Sequence, residues 1–131
     1  KVYFSKNPVF VSTNFVVCSL PSYEDAILMA SWMSTIFYQL VCEVSSKDQE
    51  GMRKMEVADI LKTYIPDKDL VTQNTIDKIK NEIDNIDFIE LKTPVIREVD
   101  KIWAEELFGA DCRDILEEAN RLLSYLTNKR N

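Results

Sequence analysis

Arg53 and Lys54 are adjacent cations just after Gly51, one of only two glycines in the chain. A glycine at such a place lets the backbone turn tightly or approach a ligand closely. Two cations beside that turn have the chemistry to meet a phosphate backbone. Lys47 and Lys6 would extend the contact. Asn14 and Gln49, with Ser12 and Thr13 nearby, carry uncharged donors and acceptors of the kind that read base edges. The same residue types also make an ordinary solvated strand edge, and residue types alone leave both readings open.

Other chemistries are easier to exclude. The chain has no histidine, which removes a Ser-His-Asp triad and every other histidine-dependent mechanism. Cys18, Cys42 and Cys112 lie far apart, without the short ligand spacings of a zinc site. Set singly in apolar runs, they are expected to be reduced core residues of a cytoplasmic protein. The pairs Glu24-Asp25, Glu105-Glu106 and Glu117-Glu118 sit at consecutive helical positions, about 100 degrees apart, and do not converge on one reacting atom. Gly51 and Gly109 are too far apart to form a phosphate-cradling loop. No catalytic, cofactor or metal site is expected in these residues.

The net charge of −6, from 22 acidic and 16 basic side chains, is awkward for a free-standing nucleic-acid binder. Its distribution matters more than its sum. Residues 1–54 hold five cations (Lys1, Lys6, Lys47, Arg53, Lys54) and five acids (Glu24, Asp25, Glu43, Asp48, Glu50). The remaining 77 residues therefore carry the whole excess of acid. A contact with DNA belongs to the first half.

The elements that must position these residues follow from pattern. Val2–Phe4, Pro8–Val11 and Asn14–Cys18 are rich in β-branched and aromatic residues, which predicts short strands with a hairpin through Ser12–Asn14. Ser22 with Asp25 three residues on makes a capping-box-like start for one helix running to about Glu43. Its apolar residues, Trp32 and Phe37 among them, cover more than half the circumference, so it is either a central core helix or a surface that meets a partner. Val44–Glu50 reads as a polar loop and Met52–Lys54 as part of a cationic strand. Glu56–Lys62 reads as one helical turn, and Tyr64-Ile65-Pro66 as an extended exit. Thr72 or Thr75 caps a helix with Ile76, Ile79, Ile83 and Ile86 on one face, and Phe88–Leu91 is a short extended piece. Thr93-Pro94 predicts the start of the next helix, whose stripe is Ile96, Val99, Ile102, Trp103 and Leu107 and whose end is Gly109. Asp111 caps the last helix, which buries Ile115, Leu116, Ala119, Leu122, Leu123 and Leu126.

The expected fold class is α+β: a small β unit packed on a central helix, followed by a three-helix C-terminal tail. Residues 1–67 form a strand–helix–strand recognition unit and 68–131 a helical tail, together one domain of 131 residues and 46% hydrophobic content. The chain opens on Lys1 without a methionine and is expected to be part of a longer protein. No apolar run approaches the ~18 residues of a membrane span, so no membrane partner is expected.

The stretch Gly51-Met-Arg-Lys-Met-Glu-Val-Ala-Asp-Ile-Leu-Lys-Thr-Tyr-Ile-Pro-Asp67 resembles a segment in the C-terminal target-recognition region of class I (TaqI-like and Eco57I-like) N6-adenine DNA methyltransferases. That group includes fused restriction–modification enzymes. In the family a glycine-led strand is followed by a "D-L-K-x-(I/L)-P" element. Ala30–Tyr38 occupies the place of the preceding helix, with Ser31-Trp32-Met33-Ser34 where the family has leucine-asparagine-serine. Arg97-Glu-Val-Asp-Lys-Ile-Trp103 and Leu107-Phe-Gly109 are similar to the family's ending. Asn7-Pro8 lacks the rest of the Asn-Pro-Pro-Tyr motif used for methyl transfer.

The resemblance implies a domain of a site-specific DNA methyltransferase or restriction–modification protein that contributes to target recognition. Its partners would be double-stranded DNA and the parent's catalytic domain. S-adenosylmethionine would be bound by the parent outside these residues. Arg53, Lys54, Lys6 and Lys47 would hold the DNA backbone, and Asn14 and Gln49 would reach bases. The competing expectation is a subunit-docking module like a type I specificity subunit, without direct DNA contact. It would be marked by a homodimer that buries Trp32 and Phe37.

Overall fold

Ser22 starts the first helix as its sequence predicts: its hydroxyl accepts from the Asp25 N–H at 3.1 Å and donates to the Asp25 carboxylate at 2.5 Å. From there the computed structural model, which describes residues 2–49, 52–85 and 95–130, is built of six α-helices. They are α1 (Tyr23–Met33), α2 (Ile36–Ser45), α3 (Val57–Ile60), α4 (Gln73–Glu82), α5 (Glu98–Phe108) and α6 (Arg113–Arg130). One antiparallel hairpin, β1 (Lys47–Gln49) with β2 (Met52–Lys54), lies between α2 and α3.

The architecture is therefore helical, which corrects the expected α+β class with a β unit packed on a central helix. Val2–Phe4, Pro8–Val11 and Asn14–Cys18 are not strands. The turn between them does form, with the Phe15 N–H donating to the Ser12 carbonyl at 3.1 Å. A high β-propensity is satisfied only where a neighbouring strand takes up the N–H and C=O groups, and among the described residues this segment has none. β1 falls where a polar loop was expected. The two three-residue strands are too short to form a layer.

A second correction concerns the predicted helix from Ser22 to Glu43. It breaks at Ser34–Thr35, where α1 and α2 bend by 68°. Thr35 ends one helix and starts the next: its Oγ1 donates to the Trp32 carbonyl at 2.6 Å and accepts from the Tyr38 N–H at 3.2 Å. The buried N-terminus of α2 is then taken up from far along the chain. Fully buried Asp100 accepts the Ile36 N–H at 2.8 Å, the Arg97 N–H at 2.8 Å and the Arg97 Nε–H at 3.4 Å. Arg97 Nη2 donates to the Ser34 carbonyl. Burial pushes the Asp100 carboxyl above its ordinary value, against these hydrogen bonds and the Arg97 charge, which pull it down.

The break also explains why residues 22–43 are apolar nearly all round. Two helices at an angle present two faces each, and all are used. Leu28, Trp32 and Tyr38 pack with Ile76, Ile79, Val99, Ile102 and Trp103. Ile36 packs with Ala119 and Leu123, and Ala104 with Cys112 and Leu116. Phe37 touches all three groups. Trp32 and Phe37, the residues a docking surface would need, thus face inward.

In α4, Thr72 is the cap, accepting from the Thr75 N–H at 3.4 Å. Ile76 and Ile79 are buried, while Ile86 lies outside the described residues, as do Phe88–Leu91, Thr93 and Pro94. Val95–Arg97 is not helical and α5 begins at Glu98, later than Thr93-Pro94 predicted. Gly109 ends α5 at φ +81, a backbone that L side chains rarely adopt. Residue Cys112, not Asp111, immediately precedes α6, and Ile115 and Leu122 are exposed. Cys42 and Cys112 pack in the core, with burial pushing the Cys42 thiol up to about 11, whereas Cys18 is exposed and not a core residue. Among the described residues no single helix is long and apolar enough to cross a membrane.

Candidate nucleic-acid interface

The hairpin gathers four of the six residues singled out for DNA contact. Its register sets Lys47 opposite Lys54, Asp48 opposite Arg53 and Gln49 opposite Met52. Consecutive positions on a strand belong to opposite faces, so Arg53 and Lys54 do not act as one doubled charge. Each instead has its own cross-strand neighbour. Arg53 stands at an acid. Lys54 stands at another lysine, and like charges at directly opposed positions destabilise a hairpin unless an anion lies between them. Gly51, expected at the turn, lies outside the described residues.

Lys6 and Asn14 are placed elsewhere. Lys6 carries its ammonium 4.1 Å from the centroid of the Tyr23 ring, at the start of α1, a cation–π contact. Asn14 is exposed in the Ser12–Phe15 turn. Both belong to the N-terminal segment rather than to the hairpin.

What positions the hairpin is a set of contacts at its two roots. Before β1, α2 ends in a bond from the Ser46 N–H to the Cys42 carbonyl at 2.9 Å. After β2, the Glu56 N–H donates to Asp59 Oδ2 at 3.1 Å, which starts α3. The chain leaving α3 is then tied to the core. The Tyr38 and Thr63 hydroxyls lie 3.1 Å apart, and Trp32 Nε1 donates to the Tyr64 carbonyl at 3.2 Å. Burial raises the Tyr38 hydroxyl above its ordinary value, the Thr63 bond opposing it, so the pair is a neutral hydrogen bond at ordinary pH. Trp103 Nε1 donates to Ser31 Oγ at 3.0 Å and fixes α1 against α5.

These positioning residues, Trp32, Tyr38, Thr63 and the Arg97–Asp100 pair, were missed as such by reading the sequence. One signal was available. A buried tryptophan or tyrosine must place its N–H or O–H on an acceptor, and the chain just before Pro66 offered free carbonyls. A second polar cluster sits at the α4–α5 contact. Glu106 accepts from the Thr72 N–H at 2.8 Å and from the Thr72 and Thr75 hydroxyls at 2.7 and 2.5 Å. Partial burial raises this carboxyl, but the three hydrogen bonds outweigh it and hold it below its ordinary value. Both clusters are scaffold. The cations singled out by the sequence, apart from Lys6, are on the hairpin.

A family described as the restriction endonuclease BpuSI specificity domain matches residues 1–96. The fold is similar to part of the crystal structure of the type IIG restriction endonuclease BpuSI, with a TM-score of 0.78 and 32% sequence identity. That similarity covers 86% of this chain and 13% of the BpuSI chain. Curated protein sequences gave no match.

Proposed function

The chain belongs to the BpuSI specificity-domain family, a target-recognition domain of a restriction–modification protein, and from that premise we propose that the β1–β2 hairpin is its DNA-contacting element. The observation that carries the reading is the register, which opposes Lys47 to Lys54 on an otherwise two-stranded, anchored hairpin. A phosphate between those positions relieves the like-charge opposition. Arg53 and Lys47 add backbone contacts, Gln49 reaches base edges, and Lys6 is a secondary contact from the N-terminal segment. The acidic residues concentrated after residue 54 keep the rest of the surface away from DNA.

The catalytic domain of the parent adjoins this one. It binds S-adenosylmethionine there and methylates adenine, in the cytoplasm. This chain supplies selection of the site and no step of the chemistry. Fluorescence anisotropy of the protein with duplex DNA across a salt series tests the assignment. Arg53→Ala with Lys54→Ala should weaken binding and lower the slope of log affinity against log salt by about 2, one for each phosphate no longer neutralised. An unchanged slope would remove the hairpin from the interface.

A further inference from the structure

Ser5–Ser19 is exposed at every position, although it contains Val9, Phe10, Val11, Phe15, Val16 and Val17. Its two ends are tied down. Phe4 packs 6.0 Å from Tyr23 and Lys6 lies over the same ring. At the other end Leu20 lines a groove of about 220 Å³ with Leu28, Trp32 and Ile65. Between those ties the chain forms no helix or strand, and it turns at Ser12–Phe15. Among the described residues, Pro8–Val11 and Val16–Cys18 take part in no backbone–backbone hydrogen bond.

Three properties identify what covers this arm. First, Asn7–Tyr23 contains no charged side chain, so it is unsuited to a phosphate backbone, which is met by lysine and arginine. Secondly, Val9-Phe-Val11 and Phe15-Val-Val17 are apolar at consecutive positions rather than alternating. Since successive residues of a strand face opposite ways, both faces are apolar, the pattern of a strand covered on both sides. Thirdly, non-helical backbone whose N–H and C=O groups pair with nothing among the described residues is open to strand addition. The arm also lies inside the family match to residues 1–96, and the BpuSI chain is far longer than the part aligned here.

We infer that Pro8–Cys18 is a docking arm that adds to the open edge of an apolar β-sheet in the adjoining domain of the same polypeptide, fixing the recognition domain against the catalytic one. This rests on the reading of the chain as one domain of a longer restriction–modification protein. It also explains how a segment with strand composition comes to have no strand partner among the described residues.

Hydrogen–deuterium exchange of the full-length polypeptide, with and without duplex DNA and over a range of protein concentrations, tests it. The amides of Val9–Val11 and Val16–Cys18 are expected to exchange at least ~100-fold slower than unprotected chain, as in a paired strand, at every concentration and without DNA. Phe10→Asp with Val16→Asp should restore fast exchange in the arm while α4 and α5 keep their protection. Fast exchange in the unmodified protein overturns the inference. So does protection that appears only with DNA, or only as concentration rises, which would mean a nucleic-acid contact or a second copy. Anisotropy with the hairpin variant decides the DNA reading separately, so either can fail alone.

Discussion

Residues 27–32 and residues 9–17 are both rich in apolar side chains, yet among the described residues the first stretch is almost wholly buried and the second exposed throughout. Ile27 is 1% exposed and Trp32 8%, while Val9 is 60% exposed and Phe10 fully so. The difference lies in the backbone. A helix pairs its own N–H and C=O groups, so α1 needs only a surface to lie on. A strand must find its hydrogen bonds in another strand, and the described residues offer this segment none. Apolar composition sets the need for burial; backbone pairing decides whether a chain can satisfy it alone.

Breaking the buried side of that comparison should have the largest effect. Asp100→Ala removes the acceptor of three donors and leaves Arg97 without its buried partner, and should cost about 3–5 kcal/mol in urea denaturation. Ile79→Ala, at a fully buried contact of α4 with α1 and α5, should cost about 2–5 kcal/mol, depending on how far the cavity collapses. Glu106→Gln should cost about 1 kcal/mol, since its hydrogen bonds are strong but partly screened by solvent. On the exposed side, Phe10→Ser should shift the stability of these residues by less than about 0.5 kcal/mol. A large destabilisation there would mean the arm already packs within this domain.

Acid titration sharpens the contrast between the two polar clusters. Glu106 is held below its ordinary value of 4.5 in the folded state. Its contribution is therefore complete above that pH and lost as pH falls through the lower, folded value. Asp100 is raised by burial above its ordinary 3.8. Its contribution is complete below 3.8 and is lost as pH rises through the higher, folded value. Denaturation at a series of pH values should show wild type losing its advantage over Glu106→Gln on acidification, and gaining relative to Asp100→Asn.

Much of the scaffold was legible in the residues. Caps at Ser22 and Thr72, the stripes Ile76/Ile79 and Val99/Ile102/Trp103, the helical turn after Glu56 and the glycine stop at residue 109 are local signals, each set by groups within one or two turns. The family resemblance was legible too, because it rests on short motifs. Lys47, Gln49, Arg53 and Lys54 were identifiable as residue types, but their arrangement was not. Pairing Lys47 with Lys54 depends on the register of a hairpin whose first strand reads as a polar loop.

By itself the sequence determined where helices can start and stop, which faces of them are apolar, and that no histidine takes part in any chemistry of these residues. Tertiary structure decided the rest. The break at Ser34–Thr35 is held by Asp100, 64 residues away, which accepts the Ile36 N–H. The exit to Pro66 is placed by Trp32 reaching Tyr64, 32 residues on. The N-terminal segment has no strand because its residues find no pairing partner among the described residues. Each is a long-range hydrogen bond made or missing, and local pattern carries no record of the far partner.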